Sequence, residues 1–84
     1  MSSNMNLQVV HNREFLNGDR VIYFRVHHSH QQWLKAQLGN KATIVDVGRH
    51  RQEGTVKYLV RFDKPVQKRF EWWIAPRYLR KVEE

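Results

Sequence analysis

Between Thr55 and Asp63 apolar residues recur at every second position, with Leu59 the one apolar residue out of phase. Val56, Tyr58, Val60 and Phe62 fall on one side, and Thr55, Lys57, Leu59 and Arg61 on the other. Such a period of two is the mark of a half-buried β-strand. A second run, Arg69 to Ile74, follows after Lys64-Pro65 opens a short connection. A symmetric hairpin would set Phe62 against Phe70, Val60 against Trp72 and Tyr58 against Ile74. Each inner pair is then apolar, so the register is self-consistent. The chain must therefore bury one face of an antiparallel sheet, and the other elements are read around this hairpin.

Upstream, Asn17-Gly18-Asp19 is turn chemistry. It opens Arg20 to Val26, a run of β-branched and aromatic residues that predicts the first strand. Ser29 and Gln32 fit a capping box, Leu34 and Leu38 are spaced for one helix face, and Gly39 suits a helix end. These features predict a short helix over about 30–38, between the first two strands, with Leu34 and Leu38 turned to the core. Trp33 is read as core filler at its margin. Lys41 to Val47 is the second strand. Either Ala42 and Ile44 face inward, or Thr43, Val45 and Val47 do, because a slip of one residue exchanges the faces. Pro76-Arg77-Tyr78-Leu79 reads as a tight turn, and Leu79 to Val82 as a last strand. The result is a mainly β chain, a five-stranded barrel with one short helix. Residues 1–14 are expected to form a flexible tail, and 15–84 a single domain.

Three stretches resemble the Src-homology-3-like small barrels. Gly18-Asp19-Arg20-Val21 is similar to the opening of KOW-type domains. Gly39-Asn40-Lys41-Ala42-Thr43-Ile44 resembles their glycine-led second strand. Trp73-Ile74-Ala75-Pro76-Arg77-Tyr78-Leu79 is similar to the tryptophan, proline, tyrosine ending of Src-homology-3 domains. The strand Val60-Arg61-Phe62-Asp63 also resembles the small barrel protein of the photosystem. The resemblance spans about residues 17–82 and implies the fold. KOW-type domains add an expectation of transcription- or ribosome-associated partners. The Ala-Leu-Tyr-Asp-Tyr opening of eukaryotic Src-homology-3 domains is missing, so polyproline recognition is not implied.

Charge narrows the partner. Fifteen Lys and Arg stand against eight Asp and Glu, a formal net charge of +7 on 84 residues. An excess of this kind attracts polyanions, although it also serves solubility alone. In the hairpin register the outer face carries Lys57, Arg61, Arg69 and Trp73. Indoles stack on unpaired bases while cations hold phosphates. Alternatively, the helix or the tail covers Trp73, and Arg61 forms a plain surface pair with Glu71. Arg49, His50 and Arg51 occupy a loop that suits phosphate contacts or is an ordinary solvated turn.

The leading expectation is thus a non-catalytic nucleic-acid-binding barrel of low sequence specificity, using Lys57, Arg61, Arg69, Trp73, Arg49 and Arg51. The alternative is a protein-interaction module docking on an acidic surface of a larger enzyme or assembly. Either could act on DNA, RNA or protein as a small regulator.

Other functions find little support. No phosphate-binding Gly-rich loop, nucleophile elbow or zinc-protease helix is present, and Ser2, Ser3 and Ser29 have no evident base, so no enzymatic activity is expected. His27, His28 and His30 cluster, with His50 as a candidate fourth nitrogen. Adjacent strand residues point apart, however, and zinc needs four converging ligands, so neither a metal nor another cofactor is expected. With no cysteine, no signal-peptide pattern in Met1 to Asn6 and no apolar run long enough for a bilayer, the expected location is cytoplasmic and no membrane partner is expected.

Overall fold

A computed structural model describes residues 13–49 and 54–83. Five strands form one antiparallel sheet: β1 (Arg20–Tyr23), β2 (Lys41–Arg49), β3 (Val56–Val66), β4 (Arg69–Ile74) and β5 (Leu79–Lys81). Their order across the sheet is β4-β3-β2-β1-β5. A single helical turn, α1 (Gln32–Lys35), lies between β1 and β2, and a 3-10 turn, Pro76–Tyr78, leads into β5. All five strands contribute to one core. Val21, Tyr23, Ile44, Tyr58, Val60 and Ile74 are fully buried on the inner face, which Trp33 and Leu34 from α1 and Phe15 help to cover.

The base of the β3–β4 hairpin has the register that its alternation predicts. Tyr58 pairs with Ile74, Leu59 with Trp73, Val60 with Trp72 and Arg61 with Glu71. The tip differs. The ladder shifts after Arg61 and resumes only at Val66 opposite Arg69. Phe62 stays buried, but Phe70 is exposed and does not face it. Pro65 lies in the irregular stretch. Proline cannot donate to a ladder, so it is confined to edges and bulges. The strand nevertheless runs through Pro65, and the turn falls at Gln67-Lys68, both with positive φ (54° and 66°). That is a two-residue hairpin loop of the kind usually built from Asn-Gly.

The register of β2 follows the first of the two alternatives as far as Ile44, and only Val47 of the second set turns inward. Ala42 and Ile44 are buried, and the pairing with β3 then shifts between Ile44 and Asp46. Beyond this bulge Val47 lies opposite the buried Tyr58 and packs against the core. One extra residue, Val45, changes which parity faces inward.

The helix is shorter than the predicted 30–38. Its N-cap is Gln31, with no side-chain capping bond; Gln31 Oε1 accepts the Trp33 indole N–H instead (3.0 Å), and the Ser29 hydroxyl is bound to His27 Nδ1 (2.7 Å). Beyond Ala36 the backbone tightens: Gln37 N–H donates to Leu34 O and Leu38 N–H to Lys35 O. In such 3-10 winding, residues three apart eclipse. Gln37 therefore comes under Leu34 and is buried, while Leu38 rotates out and is 50% exposed. The Gln37 amide donates to Lys64 O (2.7 Å) and accepts from Asn40 (2.8 Å). It thereby serves a carbonyl in the stretch where the β3–β4 ladder is open. Gly39, at φ 88°, ends this segment.

β1 ends at Tyr23, earlier than the predicted Val26. Phe24 N–H still donates to Tyr78 O (3.0 Å). Residues 1–12 of the expected tail lie outside the described residues. Glu14 N–H donates to the Tyr58 hydroxyl (2.9 Å), and the Phe15 ring meets the Tyr58 ring edge-on at 5.1 Å.

Candidate nucleic-acid interface

The outer face of β3 and β4 is built by the same alternation that fills the core. Lys57, Leu59 and Arg61 project from β3 opposite Gly48, Asp46 and Thr43 of β2 on one side. Trp73 and Glu71 of β4 flank Leu59 and Arg61 on the other. Trp73 is 41% exposed, and α1 does not cover it. The helix instead sets Trp33 edge-on to Trp72, the inner neighbour, at 5.8 Å. Gly48 seats the indole: a Cβ there would stand 3.3 Å from the six-membered ring of Trp73.

The cations are in different states. Arg61 is held by Glu71, with nitrogens 2.6 and 2.7 Å from one carboxylate oxygen, and its guanidinium lies 5.9 Å from the exposed Phe70 ring. The surface pair considered from the sequence is therefore formed, and it offsets the Arg61 charge. On the same outer face Arg20 makes a bidentate pair with Asp63 (2.7 and 2.6 Å). That bonding holds the Asp63 carboxyl below its usual range. Arg69 sits at the far end of the hairpin, 3.3 Å from Gln31 Oε1. Arg49 donates to Gly54 O (2.9 Å). His50 and Arg51 lie outside the described residues. Lys57 has no acidic partner among the described residues.

Lys57 and Trp73 also border a groove that the sequence does not reveal. It has a volume of about 310 Å³ and lies between the base of the β3–β4 hairpin, the loop before α1 and the 3-10 turn. Trp72, Tyr78, Arg77, His27 and His30 complete much of its wall. The Arg77 guanidinium lies 5.4 Å from the Tyr78 ring. Sequence reasoning misses these residues because the loop and the turn are far apart along the chain. The only linear signal is the density of aromatic and basic side chains in each.

His27 and His30 are held by hydrogen bonds, and His28 stacks against His27 at 4.2 Å. Among the described residues no three His, Asp or Glu side chains gather to hold an ion. His30 Nδ1 accepts the His27 backbone N–H (3.2 Å), so the Tyr23 hydroxyl, 2.5 Å away, donates to it as well. Burial pushes the His30 imidazole below its ordinary range, and His27, Lys35 and Lys57 add to this. Burial also pushes the Tyr23 hydroxyl up to about 12, with a contribution from Tyr78.

No family model, curated protein or solved structure matches the chain. Among the described residues no helix is long and apolar enough to cross a membrane.

Proposed function

We propose that this chain is a non-catalytic, Src-homology-3-like small barrel that binds nucleic acid with low sequence specificity. The observation that carries the reading is the exposed Trp73 indole seated beside Lys57 on the outer face, in a chain of net charge +7. A fixed aromatic face with neighbouring cations suits base stacking and phosphate contact together. The strand order β4-β3-β2-β1-β5 and the single core shared by all strands support the barrel. Arg69, Arg49 and Arg51 supply further phosphate contacts, and Arg61 contributes once its bond to Glu71 is exchanged. In this reading the protein acts in the cytoplasm, in keeping with a chain that contains no cysteine.

The test is fluorescence anisotropy with labelled DNA and RNA across a salt series. Phosphate contacts make log K fall linearly with log salt, at a slope of about −0.9 per contact on duplex DNA. The joint variant Arg61→Ala, Arg69→Ala should flatten that slope. A slope and an affinity both unchanged would remove these two residues from the interface.

A second reading, a protein-interaction module, is favoured by a separate observation. Phe24 is exposed and lies under two guanidiniums, Arg25 at 5.3 Å and Arg80 at 5.5 Å. Aromatic and Arg side chains are the usual anchors of protein interfaces. One stoichiometric protein retained from nuclease-treated lysate, and lost with Phe24→Ala, would favour this reading over the first.

A further inference from the structure

We infer that the groove beside Trp73 receives one unstacked nucleotide of a single strand, with Arg77 and Lys57 on its phosphate. The inference rests on the nucleic-acid reading above and specifies its ligand.

Three observations point to this chemistry. First, the groove wall contains Lys57 and Arg77 but no Asp or Glu, and neither cation has an acidic partner among the described residues. Three of the six described acids are paired elsewhere, Glu71 with Arg61, Asp63 with Arg20 and Asp19 with Lys81, and Glu14, Asp46 and Glu83 do not line the groove. An anion in the groove meets no carboxylate on its wall.

Second, the histidines on the wall have their Nδ1 atoms already occupied. His30 Nδ1 accepts the backbone N–H of His27, and His27 Nδ1 accepts that of Ser29 (3.1 Å). A backbone N–H can only donate, so each neutral ring carries its proton on Nε2. The groove thus lacks acidic acceptors while offering cations, imidazole rings and aromatic faces. Its complement is an acceptor-rich anion with a planar ring.

Third, the size limits the occupant. About 310 Å³ lies at the low end of small-molecule sites, roughly 300–1,000 Å³. That is room for one nucleotide. A base inside a duplex cannot reach the groove without being extruded, which costs unpairing. The groove therefore selects single strands, whereas the cations of the open outer face would serve duplex and single strand alike.

The experiment compares a labelled oligothymidylate with the same strand in duplex, using the full chain and two variants. Arg77 is exposed, so Arg77→Ala leaves the fold intact, as a circular dichroism melt would verify. Gly48→Val pushes the indole off its seat and removes no charge. The single strand should bind about tenfold tighter than the duplex. Arg77→Ala should weaken single-strand binding about tenfold and lower the salt slope by about one, with duplex binding unchanged. Gly48→Val should weaken single-strand binding at an unchanged slope, as loss of stacking does. Duplex binding as tight as single-strand binding, with Arg77→Ala neutral, would overturn the groove assignment and leave the nucleic-acid reading standing. Absence of binding to both forms at low salt would overturn the two together. Capture of an acidic peptide in their place, abolished by Arg77→Ala, would do the same and reassign the groove to a protein ligand.

Discussion

The two ends of the β3–β4 hairpin carry similar residues and fold differently. At its base, four consecutive pairs from Tyr58–Ile74 to Arg61–Glu71 keep an unbroken ladder. There alternation alone decides which side chains are buried. At its tip the ladder opens between Arg61 and Val66, Phe70 leaves the core, and a buried glutamine from the segment after α1 bonds to the Lys64 carbonyl. Alternation is thus a reliable guide only while each residue has a cross-strand partner. A proline that cannot donate ends that condition locally, and other parts of the chain then satisfy the backbone.

The sharpest test of this contrast is a pair of truncations. Ile74→Ala empties a fully buried position at the base and should cost about 2–5 kcal/mol. Phe70→Ala removes a larger side chain from the exposed tip and should cost less than about 1 kcal/mol. Urea melts of the two variants would measure both. Equal losses would mean that Phe70 packs into the core after all.

Gln37 comes next. Gln37→Ala should destabilise by about 1–3 kcal/mol, since it removes a buried amide bonded to both Lys64 and Asn40. A neutral result in the same melts would show that the tip does not depend on the segment after α1.

The turn itself should be improvable. Gln67 and Lys68 both adopt positive φ, where an L side chain costs roughly 1–2 kcal/mol. Replacing the pair with Asn-Gly should raise stability by about 1 kcal/mol without moving the base of the hairpin. A loss of stability would show that these side chains make contacts that outweigh the strain.

Titration gives the smallest effects, one on each side of the sheet. The folded His30 imidazole lies below the ordinary 6.5, so the unfolded chain binds more protons in that range. Stability is full above about 6.5 and falls as the pH drops toward the folded value. The groups facing His30 are His27, Tyr23 and Tyr78, with Lys35 and Lys57 nearby. His30→Asn should flatten this slope. Asp63, held below 3.8 by Arg20, acts in a separate window. Its contribution is present above about 3.8 and is lost as the pH falls through the lower folded value. Asp63→Asn should cost under about 1 kcal/mol at neutral pH, since the pair is half-exposed and screened. Unfolding free energies at a series of pH values would separate the two windows.

Much of the hairpin face is legible in the chain itself. Period two sets Trp73 outward and Trp72 inward, and it places Arg61 opposite Glu71. Two features mislead because their local pattern is ambiguous. Leu34 and Leu38 are spaced for an α-helix, but α1 ends after one turn and 3-10 winding turns Gln37 inward. Ser29 fits a capping box, but its hydroxyl has a closer acceptor in His27. For β2, Ala42 and Ile44 face inward before the bulge at Val45 and Val47 after it, while Thr43 faces out.

Periodicity and composition alone dictate the inner and outer faces of the strands, the base of the hairpin and the excess of positive charge. These follow from interactions between near neighbours, which need no knowledge of the distant chain. Packing in three dimensions settles the rest: which cations are neutralised and which stay open, and that His27, His30 and Arg77 share a wall with Trp73. Those relations join segments far apart along the chain. They arise from how the sheet, the helix loop and the 3-10 turn close around one core, which no local periodicity records.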